Sequence, residues 1–131
     1  DLGSHLSLTG TYNFLHAIDV EQQRFLEGRA KHTGALGVRV SLASGMLITC
    51  NASAVGARHF YIDQDGDGSA ETVLTDPYTM VNIRLARQLG TYSQLFLGVN
   101  NLFNQGDTTY LPIQPLWAYA GLEFRLQRGK K

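Results

Sequence analysis

Apolar and polar residues alternate along most of this chain, and a period of two places successive side chains on opposite faces of a strand. Across residues 4–16, Leu6, Leu8, Tyr12 and Phe14 share one face, while Ser7, Thr9, Thr11 and Asn13 share the other. Across 33–42, Leu36, Val38, Val40 and Leu42 oppose Ala35, Gly37, Arg39 and Ser41. The same pattern sets Val81, Ile83 and Leu85 against Asn82, Arg84 and Ala86 in 78–87. It sets Leu95, Leu97 and Val99 against Gln94, Phe96, Gly98 and Asn100 in 93–101, and Leu122, Phe124 and Leu126 against Gly121, Glu123 and Arg125 in 117–127. Residues 46–60 are β-like with a mixed phase, which predicts one strand carrying a bulge. The expectation is an all-β chain of six antiparallel strands in an up-and-down meander, with no helix.

The connections sort by length. Long ones (17–32, 61–77 and 102–116) alternate with short ones (43–45 and 88–92), so every long connection lies at the same end of the strands. A soluble sandwich has no need of that asymmetry. A transmembrane barrel has it, with short turns at one rim and long loops at the other. Charge follows the same division. Nine of the eleven carboxylates fall in the long connections: Asp19, Glu21, Glu27, Asp63, Asp65, Asp67, Glu71, Asp76 and Asp107. The apolar sets just named carry no charge, whereas the opposite faces carry Arg39, Arg84, Glu123 and Arg125. In a barrel these four would face the lumen, since a charge facing lipid is costly. Tyr12, Phe14, Tyr78, Tyr92, Tyr110, Trp117 and Tyr119 fall near strand ends, where an interfacial girdle would place them.

Composition removes several classes. Of 131 residues, 44% are hydrophobic and 17% charged, and eleven basic residues balance eleven acidic ones. That is too apolar for a disordered chain and too neutral for a nucleic-acid module. A single cysteine, Cys50, cannot make an internal disulfide and suits a small packed side chain. No apolar run approaches the ~18 residues of a membrane helix. The histidines at 5, 16, 32 and 59 lack metal-ligand spacing. No nucleophile elbow or phosphate-cradling loop is present, so no catalytic residue is assigned and the chain is not expected to be an enzyme.

The sharpest local chemistry is Asp63-Gln-Asp65-Gly-Asp67-Gly68-Ser-Ala-Glu71. Carboxylates at alternate positions followed by glycine match the first half of a calcium loop of the EF-hand kind. The position that should hold a bidentate Glu is Leu74, so any Ca²⁺ site built on Asp63, Asp65 and Asp67 is expected to be weak. The bland alternative is a solvated acidic turn. No other cofactor is expected.

The stretch Asp76-Pro-Tyr-Thr-Met-Val-Asn-Ile-Arg-Leu85, with Tyr92-Ser-Gln-Leu-Phe-Leu-Gly-Val-Asn-Asn-Leu-Phe-Asn104, resembles the C-terminal region of TonB-dependent outer-membrane receptors. The matching residues are Tyr78, Val81, Gly98, Val99 and the Asn101-Leu-Phe-Asn104 run. Gly28 to His32 is similar to a strand re-entry in that family, and Ala54, Gly56, Arg58 and Phe60 to the strand before a long loop. The family commonly ends on an aromatic residue, whereas this sequence runs past Phe124 to Arg-Leu-Gln-Arg-Gly-Lys-Lys.

The resemblance implies a segment of a plugged barrel of about 22 strands, located in the cell outer membrane. Its expected partners are outer-membrane lipid, the rest of the barrel with its plug, and, through the N-terminal part, the TonB system; nucleic acid is not among them. The whole receptor would import a scarce ligand such as a siderophore, cobalamin or a glycan. Asp63, Asp65, Asp67, Glu71 and Asp107 would belong to its ligand-facing loops. Two other readings remain: a soluble β-sandwich binding module with an acidic, calcium-assisted loop, and a small porin-like barrel completed by oligomerisation.

Overall fold

A computed structural model describes residues 5–106 and 113–125. Ten strands follow in chain order: β1 (His5–Phe14), β2 (Ile18–Asp19), β3 (Arg24–Phe25), β4 (His32–Ser41), β5 (Met46–Val55), β6 (His59–Ile62), β7 (Glu71–Leu74), β8 (Tyr78–Leu89), β9 (Ser93–Asn100) and β10 (Trp117–Phe124). Six of them form one antiparallel sheet in the order β1-β4-β5-β8-β9-β10. Each neighbour in that order is also the next long strand in the sequence, which makes the sheet an up-and-down meander. The described residues contain no helix.

The register turns the alternation into two faces. Leu8 lies opposite Val38, Val38 opposite Cys50, Cys50 opposite Ile83, Ile83 opposite Val99, and Val99 opposite Ala118. That row crosses all six strands without a polar residue. The next row, Leu6, Val40, Ile48, Leu85, Leu97 and Ala120, does the same. On the reverse face, Ser7, Arg39, Thr49, Arg84, Gly98 and Tyr119 line up. A slip of one residue between any two strands would mix the faces, so the pattern itself fixes the pairing.

Residues 46–60 do not form one bulged strand. β5 pairs residue for residue with β8 from Met46 to Val55 and with β4 from Leu47 to Val55. The chain then leaves the sheet at Gly56, whose N–H donates to the His32 carbonyl at 2.8 Å, and resumes as β6. A Cβ at Gly56 would stand 3.1 Å from that carbonyl oxygen. The mixed phase came from this exit and from Leu47 and Val55, which sit on the polar face opposite Ala86 and Tyr78.

Two long connections carry hairpins of their own, β2–β3 and β6–β7. The tight connection between β4 and β5 turns at Gly45, where φ is +76° and the Gly45 N–H donates to the Leu42 carbonyl at 3.0 Å. A side chain there would meet the left-handed penalty of roughly 1–2 kcal/mol.

The sheet is a single layer. No second sheet packs on either face among the described residues, which is not the architecture of a β-sandwich. Among the described residues no large side chain is fully buried, and Tyr78 and Ala86 are the buried apolar ones. Leu8 remains 68% exposed, Leu97 47% and Leu122 56%. Exposed apolar surface of this extent is what monomeric soluble proteins avoid. β1 and β10 do not pair with each other, so the sheet is open and both edges carry unpaired backbone groups.

Candidate ligand-facing surfaces

The sequence run 63–71 forms the tip of the β6–β7 hairpin. Asp63 holds it together. Its two carboxylate oxygens accept the N–H of Gly66 at 2.6 Å and of Gly68 at 2.9 Å. Asp65 accepts from Asp67 N–H at 3.2 Å, Asp67 from Ser69 N–H at 2.7 Å, and Glu71 from Gln64 N–H at 2.9 Å. One oxygen from each of Asp63, Asp65, Asp67 and Glu71 lies within 4.8 Å of the others, all on exposed residues. Such a set offers oxygen ligands to a hard cation. Leu74, where an EF-hand would place its bidentate Glu, pairs with His59 in the hairpin, and strands rather than helices flank the loop. Asp107 and Tyr110 lie outside the described residues.

The β2–β3 and β6–β7 hairpins pack into one platform, a union that local sequence could not reveal. The Arg24 guanidinium sits 3.9 Å from the centre of the Tyr61 ring. Tyr61 donates its hydroxyl to the Phe25 carbonyl at 3.1 Å, and its N–H to a Glu27 carboxylate oxygen at 3.3 Å. Phe25 stacks on His59 with centroids 4.9 Å apart, and His16 meets Phe25 edge-on. Beneath this platform lies Arg58, only 3% exposed, its guanidinium carbon 5.5 Å from the Tyr78 ring centre. An open recess of about 610 Å³ lies there, with Asn13, Thr33, Arg29 and Arg58 among its lining.

The third long connection starts from the Asn101-Leu-Phe-Asn104 run, and the structure gives that motif a physical role. Asn101 and Asn104 both take left-handed backbone conformations, φ +50° and +49°, which asparagine tolerates better than most residues. The Asn101 side chain donates to the carbonyls of Gln105 at 2.7 Å and Gln114 at 3.0 Å, and accepts the Gln105 N–H at 3.0 Å. Asn104 accepts the Leu116 N–H at 2.9 Å. The two asparagines therefore clamp both ends of the connection.

Arg39, Arg84 and Glu123 all lie on the polar face. Arg39 and Arg84 flank Thr49 in one row, about 10 Å apart by the spacing of two strands. Arg84 is spoken for: its guanidinium lies 4.5 Å from the Phe96 ring centre. Arg125, just past β10, pairs with Glu123 at 3.2 Å along its own chain rather than across strands. An open recess of about 530 Å³ runs over the β1-β4-β5 part of this face, with Ser7, Thr11, Arg39, Asn51 and Asn82 in its lining.

The sequence reading passed over one arrangement on the same face. Tyr119 lies across Gly98, where any Cβ would overlap the ring, and Phe96 lies across Gly121, where a Cβ would fall 2.6 Å from the ring carbon Cζ. These glycines face those aromatics directly across the β9–β10 ladder. Aromatic cover of a cross-strand glycine restores packing that the glycine lacks.

Neither the protein-family models nor the curated proteins provide a match to this sequence. The functional reading therefore rests on the sheet and its two faces.

Proposed function

We propose that this chain is wall and outer loops of a transmembrane β-barrel, and that the barrel is a TonB-dependent receptor importing a scarce ligand across the outer membrane. One observation carries the first part: a single-layer sheet with an exposed apolar face, charged only at Arg87 beside the short-turn rim, and a polar reverse face. In water that apolar face needs a cover, and no element of the described chain supplies one. In a bilayer, lipid is the cover. The four longest strands have 10 to 12 residues, against the ~9–11 that a tilted strand needs to cross the hydrocarbon. The open edges of β1 and β10 then require further strands, because unpaired backbone groups in hydrocarbon cost several kcal/mol each. Those strands would belong to the rest of the receptor.

The receptor assignment is the finer claim and rests on the resemblance around Tyr78–Asn104. The clamp built by Asn101 and Asn104 supports it, because it gives the resembling motif a local job at the head of an outer loop. In this reading the polar face lines the lumen, and the acidic tip and hairpin platform face the outside.

The test is partition. Purified chain is expected to aggregate in detergent-free buffer and to stay dispersed, with β-structure by circular dichroism, only where detergent covers the apolar face. A monodisperse monomer in detergent-free buffer with the same spectrum would overturn the membrane reading. A longer reading frame encoding a plug-like domain upstream supports the receptor, whereas an unrelated upstream domain removes that part alone.

A further inference from the structure

We infer that Lys31 and His32 hold the phosphate of a lipid headgroup at the rim of the apolar face, with an acyl chain of the same lipid in the trough beside Tyr12. This rests on the barrel reading and names the kind of lipid that meets the wall at this place.

Strand geometry sets the level of these residues. Arg87 and Thr79 are eight residues apart on β8, Thr79 shares a row with Ala54 and Gly34, and His32 stands two residues beyond Gly34 on β4. Arg87 and His32 both lie on the apolar face, ten residues apart along the strands. Ten residues rise about 33 Å along a strand. At a tilt of ~40° that is about 25 Å along the membrane normal, the height of a barrel's apolar band. The two basic residues therefore bracket the band, and His32 stands at headgroup level on the side of the long connections.

The cluster is assembled across β1 and β4, where Phe14 lies opposite His32. The Tyr12 hydroxyl bonds Nδ1 of His32 at 2.7 Å, which holds the imidazole and leaves Nε2 for a ligand. The Phe14 ring centre is 5.3 Å from that of the imidazole, and the Lys31 ammonium lies 5.5 Å from the Phe14 ring centre. Among the described residues neither basic group is ion-paired; the ion pair there is Arg125 with Glu123. Beside the cluster the apolar face dips. Tyr12, Gly34, Ala54 and Thr79 form one row across β1, β4, β5 and β8. Its small members leave an open trough of about 400 Å³, with Tyr12 and His32 in its lining and no carboxylate among the described residues that line it.

The chemistry selects the occupant. Two basic groups free of ion pairs attract negative charge, and headgroup level is where a lipid carries its phosphate. A free anion would use the charges alone and leave the trough unfilled. A zwitterionic lipid brings its own cation with the phosphate, which offsets the attraction. An anionic lipid uses both parts in the right order, because Gly34 is two residues nearer the bilayer centre than His32.

The test uses the barrel completed by its further strands, dispersed in dodecyl maltoside. It is titrated with dioleoyl phosphatidic acid and, in parallel, with dioleoyl phosphatidylcholine, and bound lipid is counted by native mass spectrometry. Expected is saturable retention of phosphatidic acid, little retention of phosphatidylcholine, and no displacement by sodium phosphate at equal concentration. Lys31→Gln should weaken retention of phosphatidic acid about fivefold. Gly34→Leu should weaken it too, by filling the trough. A Cβ there meets only the Thr11 carbonyl oxygen at 3.6 Å, an ordinary contact, so the sheet is not strained. Equal retention of the two lipids, displacement by sodium phosphate, or unchanged retention in either variant would overturn the assignment. A barrel that is monodisperse without detergent overturns the barrel reading instead, and sedimentation before any lipid is added tells the two failures apart.

Discussion

The side-chain carbonyl of Asn82 on β8 accepts the backbone N–H of Asn101 at 2.8 Å. Asn101 has just left β9, so its N–H no longer has a ladder partner, and Asn82 takes the place of the missing strand. One residue further on, Leu102 donates its N–H to the Val81 carbonyl at 2.8 Å. The end of the β8–β9 ladder is thereby sealed, and Asn101 is only 4% exposed. Asn82→Ala leaves this backbone donor without its partner in a place water scarcely reaches. The cost of such a change is about 1–3 kcal/mol. Asn101→Gly keeps the left-handed backbone but removes three side-chain hydrogen bonds, and should cost at least as much. Thermal unfolding followed by circular dichroism measures both, and a shift no larger than that of a surface Asn→Ala control would remove the clamp from the account.

The two faces of the sheet make opposite predictions for charge. Leu97 lies in a row that is apolar across six strands, and Arg84 lies in the row behind it. In the barrel completed by its further strands, Leu97→Arg should impair vesicle insertion by about 2–4 kcal/mol, the cost of that charge near the bilayer centre. Arg84→Leu should leave insertion nearly unchanged. Flotation yield for the two variants decides between the faces: equal effects, or a larger loss for Arg84→Leu, would contradict a lipid-facing Leu97.

How far the sequence carried this assignment of faces varies along the chain. The strands, their alternation and the division of long from short connections were all legible, because side-chain direction in a strand depends only on parity. Residues 46–60 went astray for a related reason: Gly56-Ala57-Arg58 leaves the sheet without a strong turn signal, and β6 then resumes the strand pattern. The acidic tip was legible because its carboxylates are neighbours in sequence. The hairpin platform was not, since Arg24 and Tyr61 are 37 positions apart and meet only after both hairpins have folded. Likewise, Gly98 and Gly121 are unremarkable until the β9–β10 register sets them under Tyr119 and Phe96.

Those two glycines should be intolerant of even one added carbon. Gly121→Ala would put a methyl group 2.6 Å from Phe96 Cζ, forcing the ring off the strand and away from Arg84. Overpacking of this kind costs about 1–3 kcal/mol. The double variant Gly121→Ala with Phe96→Ala should recover part of the loss, because the ring is then no longer in the way. Unfolding midpoints for the single and double variants test this, and strict additivity would show that ring and glycine do not interact.

At the end of the sheet that carries the long connections, the union of the two hairpins predicts that a change in one is felt in the other. Tyr61→Phe removes the hydroxyl that bonds the Phe25 carbonyl, a loss of about 0.5–1.5 kcal/mol, while keeping the ring under Arg24. Amide exchange in β2 and β3 should then accelerate, although neither strand is near position 61 in sequence. Unchanged exchange there would mean that the hairpins touch without supporting one another.

The acidic tip makes the last prediction. Four carboxylates converge, but Asp63 already spends both oxygens on backbone N–H groups, and no bidentate Glu completes the set. A cation would meet fewer oxygens than the ~6–8 that Ca²⁺ prefers, on side chains that are all exposed. Calorimetric titration with CaCl₂ is therefore expected to give an affinity no tighter than about millimolar, the weak end for calcium loops. Asp67→Asn should abolish even that while leaving the sheet intact, because the hydrogen bond from Ser69 can still be accepted by the amide oxygen. Micromolar affinity in the parent would overturn this view and return the acidic tip to the centre of any account of the ligand.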